Sequence, residues 1–414
     1  MARTGATSRF GNAIRVILAA ALIISVAMGT RQTFGLFVGP LALERALPVS
    51  VIALAIALHN LVWGLAQPIA GAAADRFGAA PVVALGAFAY AGGLAVAASA
   101  GSGAVMVLGM GLLVGIGMSC TTFGVVLTAV GRAASAERRS MAMGIASAGG
   151  SVGQVALVPA ADIVNQGWGL SSTLMALAAL LLATSPLGLL LQPRNRTGSH
   201  LAAATPLGEV LAQAVSHRGY RLLTIGFFTC GFQLAFISTY LPGYLSFCQM
   251  PVGLGATALA LIGLFNMAGS WGCGWLGGRF RQQHVLGWLY LVRGAAIAAF
   301  FLLPKSEASV VAFAAVMGLT WLGTVPLTSG WVAKVFGTAH LGTLFGVCFF
   351  SHQVGSFAGA WLGGIVFDMT GSYAVLWMLT AFAGLLAALV NFPIRDTMPG
   401  TGPGTGSGLL RAAG

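Results

Sequence analysis

Charged side chains are scarce in this 414-residue chain: Asp and Glu together number 8, Lys and Arg 20, and charged residues make up only 7%. Hydrophobic residues make up 57%, and the mean hydropathy is +0.91. A water-soluble fold needs more polar surface than this composition supplies. The shortage of charge therefore argues against a soluble globular protein and predicts an integral membrane protein with the lipid bilayer as its solvent.

Cysteine is also sparse, and the five cysteines are odd in number and show no CxxC spacing. This pattern argues against a disulfide framework and a zinc site. The chain also lacks a GxxxxGK[ST] phosphate loop, and its apolar runs lack paired carboxylates or a nucleophile with a base. We therefore expect neither an enzyme nor an ATP-driven pump, and no cofactor or metal. The cysteines are Cys120, Cys230, Cys248, Cys273 and Cys348.

Apolar runs fill most of the chain, and each is long enough for a helix to cross a bilayer, which takes about 20 residues. They predict an all-α integral membrane fold, with twelve transmembrane helices in two six-helix halves. We divide the chain into an N-terminal half (1–191), a cytoplasmic connector (192–217), a C-terminal half (218–396) and a disordered tail (397–414). The predicted helices span 14–38, 50–74, 80–100, 103–131, 139–165, 170–191, 219–247, 254–277, 283–303, 308–334, 341–368 and 374–394.

The net charge of +12 reflects topology rather than a nucleic-acid partner. With a cytoplasmic N-terminus, 16 of the 20 Lys and Arg residues fall at cytoplasmic ends or loops, whereas only Arg45 and Lys305 lie outside. This asymmetry is the positive-inside bias. It predicts both termini in the cytoplasm and a location in a bacterial inner membrane.

The two halves repeat each other. Pro40 and Pro242 are 202 positions apart, and Arg76 and Arg279 are 203 apart, at matching places in matching helices. Two parallel six-helix repeats are the plan of a secondary transporter, whose substrate site lies near the midplane between the halves.

The loop between predicted helices 2 and 3 runs from Gly71 through Asp75 and Arg76 to Gly78. It closely resembles the GxLADRxG loop of the major facilitator superfamily. The resemblance implies a gating role, in which this loop latches the cytoplasmic side without touching substrate. Gly71 is expected to permit close helix contact and Gly78 to turn the chain. The second-half copy has Gly278 in place of the aspartate.

Predicted helix 1 contains Arg31, a permanent cation inside an apolar run. A central arginine costs about 2.5 to 3.5 kcal/mol in a membrane helix, so it should face a wet cavity, an anion or both. All eight acidic residues lie at helix ends, in loops or in the tail. A substrate anion would supply the missing charge, although a structural or snorkelled Arg31 is the alternative.

The segment Arg31 to Phe37 and the segment Ser351 to Gly355 resemble stretches that carry basic functional residues in the monocarboxylate-transporter-like branch of the same superfamily. That resemblance covers all twelve helices and implies transport of a small organic anion. The branch's Asp and Arg pair in helix 8 is absent here, so proton coupling by that pair cannot be transferred.

His352 is then the best candidate for proton coupling, because histidine changes charge near neutral pH. For each of the other polar residues in the apolar runs, interhelical packing is the alternative to a binding role, and Arg293 is expected to be structural or snorkelled. The substrate-binding candidates are Arg31, His59, Asn60, Thr121, Tyr240, Asn266, His352 and Gln353, and Thr122 and Trp331 are weaker cavity candidates.

We therefore predict a transporter of a small organic anion, a monocarboxylate, that works by alternating access as a monomer. Coupling by proton symport and coupling by anion exchange both remain open. The alternatives are a drug or metabolite exporter of the same fold, disfavoured by the lack of intramembrane carboxylates for a cationic substrate, and a non-transporting membrane sensor.

Overall fold

The computed structural model describes residues 2–133, 139–191, 207–337 and 341–396, and within them the regular structure is helical, without strands. The first part of the predicted connector and the predicted disordered tail lie outside these residues. The rest of the connector contains a short helix, Leu207–Ser216. All five cysteines are free.

The described residues form twelve helical passes, which confirms the predicted fold. Helix 1 is Ala2–Gln32 continued by Phe34–Glu44, helix 2 Val49–Phe77, helix 3 Ala79–Ala98, and helix 4 runs from Gly103 to Ala133 in several pieces. Helices 5 and 6 form one segment, Arg139–Thr184, divided at Gly169, and end in the 3-10 turn Ser185–Leu191. Helix 7 is Arg218–Phe247, helix 8 Leu254–Arg279, helix 9 Gln282–Leu302, helix 10 Glu307–Leu319 with Thr324–Phe336, helix 11 Leu341–Thr370 and helix 12 Ala374–Asn391.

Ten segments of the described chain are long and apolar enough to cross a membrane. One of them, Ala142–Leu191, contains both helix 5 and helix 6, and the 30-residue helix 11 completes the twelve. Large apolar side chains point outward, including Phe88 and Trp288 at 63% and 62% exposure. Such an outer surface is suited to lipid rather than water, so the chain is an integral membrane protein.

The two halves pack in the same way. In the first, Gly153 of helix 5 lies so close to the Ser25 carbonyl of helix 1 that no Cβ would fit. In the second, Gly355 of helix 11 lies equally close to the Phe228 carbonyl of helix 7. Close backbone contact at small residues is how helices associate in lipid, which is as apolar as their side chains.

Helices 4 and 10 occupy equivalent places in the two halves, and both are interrupted. Helix 4 breaks at Thr122, whose φ and ψ are −116° and −155°. Helix 10 is non-helical between Leu319 and Thr324. Interrupted helices in corresponding positions leave backbone carbonyls that need partners near the centre of the bundle.

We call the end of the bundle where helix 1 begins the terminal face, and the end where helix 1 finishes the distal face. At the distal face the halves are in contact, because Gly364 of helix 11 packs against Ser50 and Ala53 of helix 2. Helices 1 and 7 make a second such contact, in which Gly35 of helix 1 lies against the Ser238 carbonyl of helix 7. The distal face is therefore closed by close packing at small residues.

Candidate functional site

Arg31 lies at the end of the first part of helix 1, just before the interruption at Thr33. Its Nη2 donates to Asn60 Oδ1 at 2.8 Å, and its Nη1 donates to Gln32 Oε1 at 3.3 Å. The guanidinium carbon is 5.7 Å from the centroid of the Trp63 ring. Arg31 makes no ion pair within the part of the chain that the structure describes, where only Asp396 supplies a carboxylate to an ion pair.

Helix 2 presents two consecutive polar side chains near Arg31. Asn60 donates from Nδ2 to the Ile56 carbonyl at 3.0 Å, which leaves Oδ1 for Arg31. His59 is only 1% exposed, and its ring meets Phe34 edge-on at 5.5 Å. Neither ring nitrogen of His59 has a hydrogen-bond partner among the described residues. A buried polar atom without a partner destabilises the fold unless water or a ligand reaches it.

Helix 11 contributes the matching polar pair from the other half. His352 Nδ1 lies 3.1 Å from Gln353 Oε1, and the His352 ring packs 4.9 Å from Phe227. Gln353 is fully buried against Gly64 of helix 2, where an added Cβ would lie 3.0 Å from the Gln353 side chain. Gln353 Nε2 has no partner in the described residues. Gln353 therefore lies where the two halves meet.

Two aromatic residues, Trp63 and Phe349, connect Arg31 to His352. The Trp63 ring meets the Phe349 ring edge-on at 5.4 Å, across the boundary between the halves. Phe349 in turn stacks parallel to His352 at 5.9 Å. Sequence reasoning missed both residues, although each lies three positions from a predicted site residue, Asn60 or His352. Residues three apart share a face of a helix, and that spacing was the available signal.

A second polar group ties helix 5 to helices 1 and 8. Gln32 Nε2 donates to Gln154 Oε1 at 2.9 Å, and Gln154 Nε2 donates to the Leu259 carbonyl at 2.6 Å. Asn266 Nδ2 donates to Ser151 Oγ at 2.9 Å. Asn266 Oδ1 also accepts from the Leu322 amide, in the interruption of helix 10, at 3.0 Å. The Asn266 amide is thus engaged between helices, and Gln32 and Gln154 are further interface residues that the sequence did not single out.

The structure does not bring the other binding candidates to Arg31. The Tyr240 hydroxyl donates a hydrogen bond to the Ala360 carbonyl, and the Tyr240 ring packs on Tyr373 within the C-terminal half. Thr121 donates to the Gly117 carbonyl of its own helix at 2.8 Å, and Thr122 donates to the Met118 carbonyl at 2.6 Å. Trp331 is fully buried near the terminal face, where its indole nitrogen donates to Asp396 Oδ1 at 3.0 Å.

The loop predicted to have a gating role ends helix 2 at the terminal face. Gly78 has a φ of 92°, which makes it the chain-turning glycine that the motif predicts. A Cβ added at Gly71 would meet open space, so the expectation that Gly71 permits close helix contact is wrong in this conformation. Arg76 lies over the Phe77 ring at 5.2 Å. The side chain of Asp75 lies outside the described part of the structure.

Arg293 of helix 9 is fully buried, which contradicts a snorkelled position and fits the expected structural one. Its Nη2 donates to the Thr320 carbonyl and, at 2.9 Å, to the Trp321 carbonyl. Its Nη1 lies 3.3 Å from Cys230 Sγ. Arg293 thereby satisfies carbonyls that the interruption of helix 10 leaves open. The two intramembrane arginines thus have different surroundings.

Comparison with known proteins agrees with this architecture. A family model described as Major Facilitator Superfamily matches residues 20–359. The uncharacterized MFS-type transporter YcxA of Bacillus subtilis (strain 168) is 26% identical over 401 residues, covering 92% of this chain and 95% of that protein. Monocarboxylate transporter 11 of Homo sapiens is 26% identical over 411 residues (94% and 84% covered), and monocarboxylate transporter 13 of Rattus norvegicus is 28% identical over 401 residues (91% and 89%).

Solved structures show the same fold. A bacterial homolog of the human lysosomal transporter Spinster, in its inward-facing and unoccupied conformation, superposes with a TM-score of 0.70 at 14% identity, covering 92% of this chain and 93% of that one. A D-xylose-proton symporter superposes with a TM-score of 0.66 at 15% identity, covering 94% and 99%.

Proposed function

The chain belongs to the Major Facilitator Superfamily, and from that membership we propose that it is a secondary transporter of a small organic anion, a monocarboxylate, working by alternating access. Relatives along most of its length are transporters, among them proteins named monocarboxylate transporters. We therefore propose that the protein is a transporter rather than an enzyme. The chain is an integral membrane protein, and we place it in the bacterial inner membrane with both termini in the cytoplasm.

The observation that carries the proposal is the set of partners around Arg31. Its two described hydrogen-bond acceptors, Asn60 and Gln32, are neutral amides, and its Nε has no partner among the described residues. A cation at this depth is costly in lipid, and neutral acceptors leave its charge uncompensated. A carboxylate would supply the charge, and the planar guanidinium fork matches its two oxygens.

Arg31 is also connected to both halves. Through Trp63 it is linked to Phe349, and through Phe349 to His352 and Gln353 of helix 11. An anion on Arg31 would therefore lie where helix 2 and helix 11 meet. Alternating access requires a site that both halves share, near the middle of the membrane. We propose two modes of coupling. Either the transporter takes up protons with the anion through His352, or it exchanges one anion for another.

The test is uptake and counterflow of labelled carboxylates in sealed proteoliposomes, with binding measured on the same preparations. A charge-assisted hydrogen bond contributes about 1.5 to 3 kcal/mol, so Arg31→Ala should weaken carboxylate binding about 10- to 100-fold. Arg31→Lys keeps the charge but loses the fork, so its affinity should lie between those of the wild type and Arg31→Ala. Arg15→Ala, at an exposed position on helix 1, is the matched control and should bind as the wild type does.

Two results would contradict the proposal. A stable Arg31→Ala protein with unchanged affinity would remove Arg31 from the anion site. A wild-type protein that binds carboxylates without moving them across the bilayer would be a sensor rather than a transporter.

A further inference from the structure

We propose that the preferred substrate is an aromatic monocarboxylate, in which a planar ring accompanies the carboxylate, rather than a short aliphatic acid. This inference rests on the proposed transport of an organic anion and names the class of anion. It comes from aromatic side chains of both halves that connect to the Arg31 guanidinium through the Trp63 ring.

Rings from both halves meet at Trp63, which lies beside Arg31. From the N-terminal half, the Trp63 ring of helix 2 lies 5.7 Å from the guanidinium carbon and 6.5 Å from the Phe123 ring of helix 4. From the C-terminal half, Phe349 of helix 11 meets Trp63 edge-on at 5.4 Å. Phe123 and Phe349 are half-buried rather than enclosed. They are therefore the members of this group with ring surface free for a ligand.

The aromatic series continues along the helix 11 side. Phe349 and His352 are parallel, with an interplanar angle of 3° and centroids 5.9 Å apart. His352 contacts Phe227, which contacts Phe345 at 5.9 Å. Phe345 is again half-buried. Four helices thus contribute rings to one connected group that begins at the Arg31 guanidinium.

The central ring is also fixed in orientation. Trp63 Nε1 donates to Gln67 Oε1 at 2.8 Å, and Gln67 Nε2 donates to the Ser119 carbonyl at 3.2 Å. Because its one donor is already used and it is only 4% exposed, Trp63 holds the neighbouring Phe123 and Phe349 rings in place. A side chain held in its binding orientation loses little freedom when the ligand arrives, which favours affinity.

This surface distinguishes carboxylates by what is attached to them. Acetate or lactate would satisfy Arg31 but leave the ring surfaces without an apolar partner. A ligand ring would meet Phe123 or Phe349 in the edge-on or offset geometries that aromatic pairs prefer. A saturated ring of the same size would bury similar area but lack the quadrupole that makes those geometries favourable.

The experiment measures the affinities of benzoate, cyclohexanecarboxylate and acetate for the purified full-length protein, together with their ability to inhibit or drive uptake in proteoliposomes. We expect benzoate to bind at least about fivefold more tightly than cyclohexanecarboxylate, the factor corresponding to one or two aromatic pairs, and acetate to bind most weakly. Phe349→Leu and Trp63→Leu should reduce the preference for benzoate, while Phe88→Leu, on the lipid-facing surface of helix 3, should keep it.

The outcomes separate this inference from the proposed function. If none of the three carboxylates binds or moves, the anion transporter itself is wrong. If acetate or cyclohexanecarboxylate binds as tightly as benzoate, anion transport stands, but the preference for aromatic monocarboxylates is overturned. If benzoate is preferred equally by the wild type and by folded Phe349→Leu, the rings described here do not recognise it. Trp63→Phe, which keeps an aromatic ring, should restore part of the preference lost in Trp63→Leu.

Discussion

The carboxylate of Asp368, near the end of helix 11, accepts a hydrogen bond from the backbone amide of Ser50, at the start of helix 2, at 2.8 Å. The two residues lie in different halves, 318 positions apart. A carboxylate at a helix N-terminus satisfies an amide that has no partner within its helix and interacts favourably with the helix dipole. One half of the molecule therefore caps a helix of the other, directly beside the packing of Gly364 on Ala53.

Asp368→Ala should favour opening of the distal face. A helix cap contributes about 0.5 to 2 kcal/mol, so the equilibrium between closed and open distal ends should shift by about 2- to 30-fold. The reporter is a cysteine at Ala53, which is fully buried at this contact, in a background free of other cysteines. An impermeant thiol reagent should label it faster in Asp368→Ala than in the parent.

Glu307→Ala is the control, because Glu307 is an exposed acid at the start of helix 10 and makes no described contact with the other half. Equal labelling rates in the parent, Asp368→Ala and Glu307→Ala would show that the cap contributes nothing to closure.

Arg293→Leu should destabilise the fold without changing substrate affinity. It would leave the Thr320 and Trp321 carbonyls without their donor, at about 1 to 3 kcal/mol for each buried unsatisfied group. Thermal unfolding in detergent should occur at a lower temperature, and the surviving protein should bind carboxylate normally. For Arg31→Ala we expect the opposite: an unchanged unfolding temperature and weaker carboxylate binding. An Arg293→Leu protein that is stable but loses affinity would instead place Arg293 in the binding site.

The sequence was sufficient for the helices, and it singled out Arg31 as a candidate, but it did not reveal which residues contact Arg31. The twelve passes follow from runs of apolar residues, and Arg31 is conspicuous because its charge is expensive in lipid. Trp63 is not conspicuous, because an aromatic residue in an apolar helix suits lipid, core and binding site equally well. Tyr240 shows the same ambiguity. On a helix that is apolar all round, composition does not identify the face toward the cavity, and the Tyr240 hydroxyl has its acceptor within its own half.

The interruptions of helices 4 and 10 also escaped prediction. Proline and glycine are the usual signals for a break. Glycine is so common in this chain, at 60 residues, that Gly323 in the break of helix 10 does not stand out, and Thr122 is neither glycine nor proline. The break in helix 10 is stabilised by side chains distant in sequence, Arg293 and Asn266. Such a cause is tertiary, so local patterns do not contain it.

Asp396, just beyond helix 12, should contribute stability that depends on pH and salt. Partial burial raises the pKa of its carboxyl group, but the hydrogen bond and charge of Lys334, with Trp331 and Arg281 nearby, outweigh burial and leave that pKa below its ordinary value. The lowered pKa means that the stabilisation is present above the ordinary value near 3.9 and is lost as the pH falls through the folded-state pKa.

We therefore expect Asp396→Asn to lower stability by about 0.5 to 1 kcal/mol at pH 7, since Lys334 and Arg281 are half-exposed and screened. The difference from the wild type should be constant between about pH 5 and 8, diminish below about pH 4, and shrink in high salt. The measurement is thermal unfolding of both proteins in detergent across these conditions. Lys334→Met should largely abolish the effect of Asp396→Asn, and additive losses would show that the pair is not coupled.

The last prediction concerns His352 and decides between the two proposed modes of coupling. His352 is half-buried between Phe227 and Phe349, and histidine is the side chain whose charge ordinarily changes near neutral pH. A proton symporter must release its proton in order to return empty, whereas an exchanger returns loaded with another anion. His352→Gln should therefore flatten the pH dependence of net uptake between about pH 5 and 8 while anion counterflow persists. His284→Gln is the histidine control, and we expect it to keep the pH dependence, because His284 packs against Phe392 at the start of helix 9 and is not part of the proposed site. If wild-type net uptake ignores pH across this range, His352 has no coupling role.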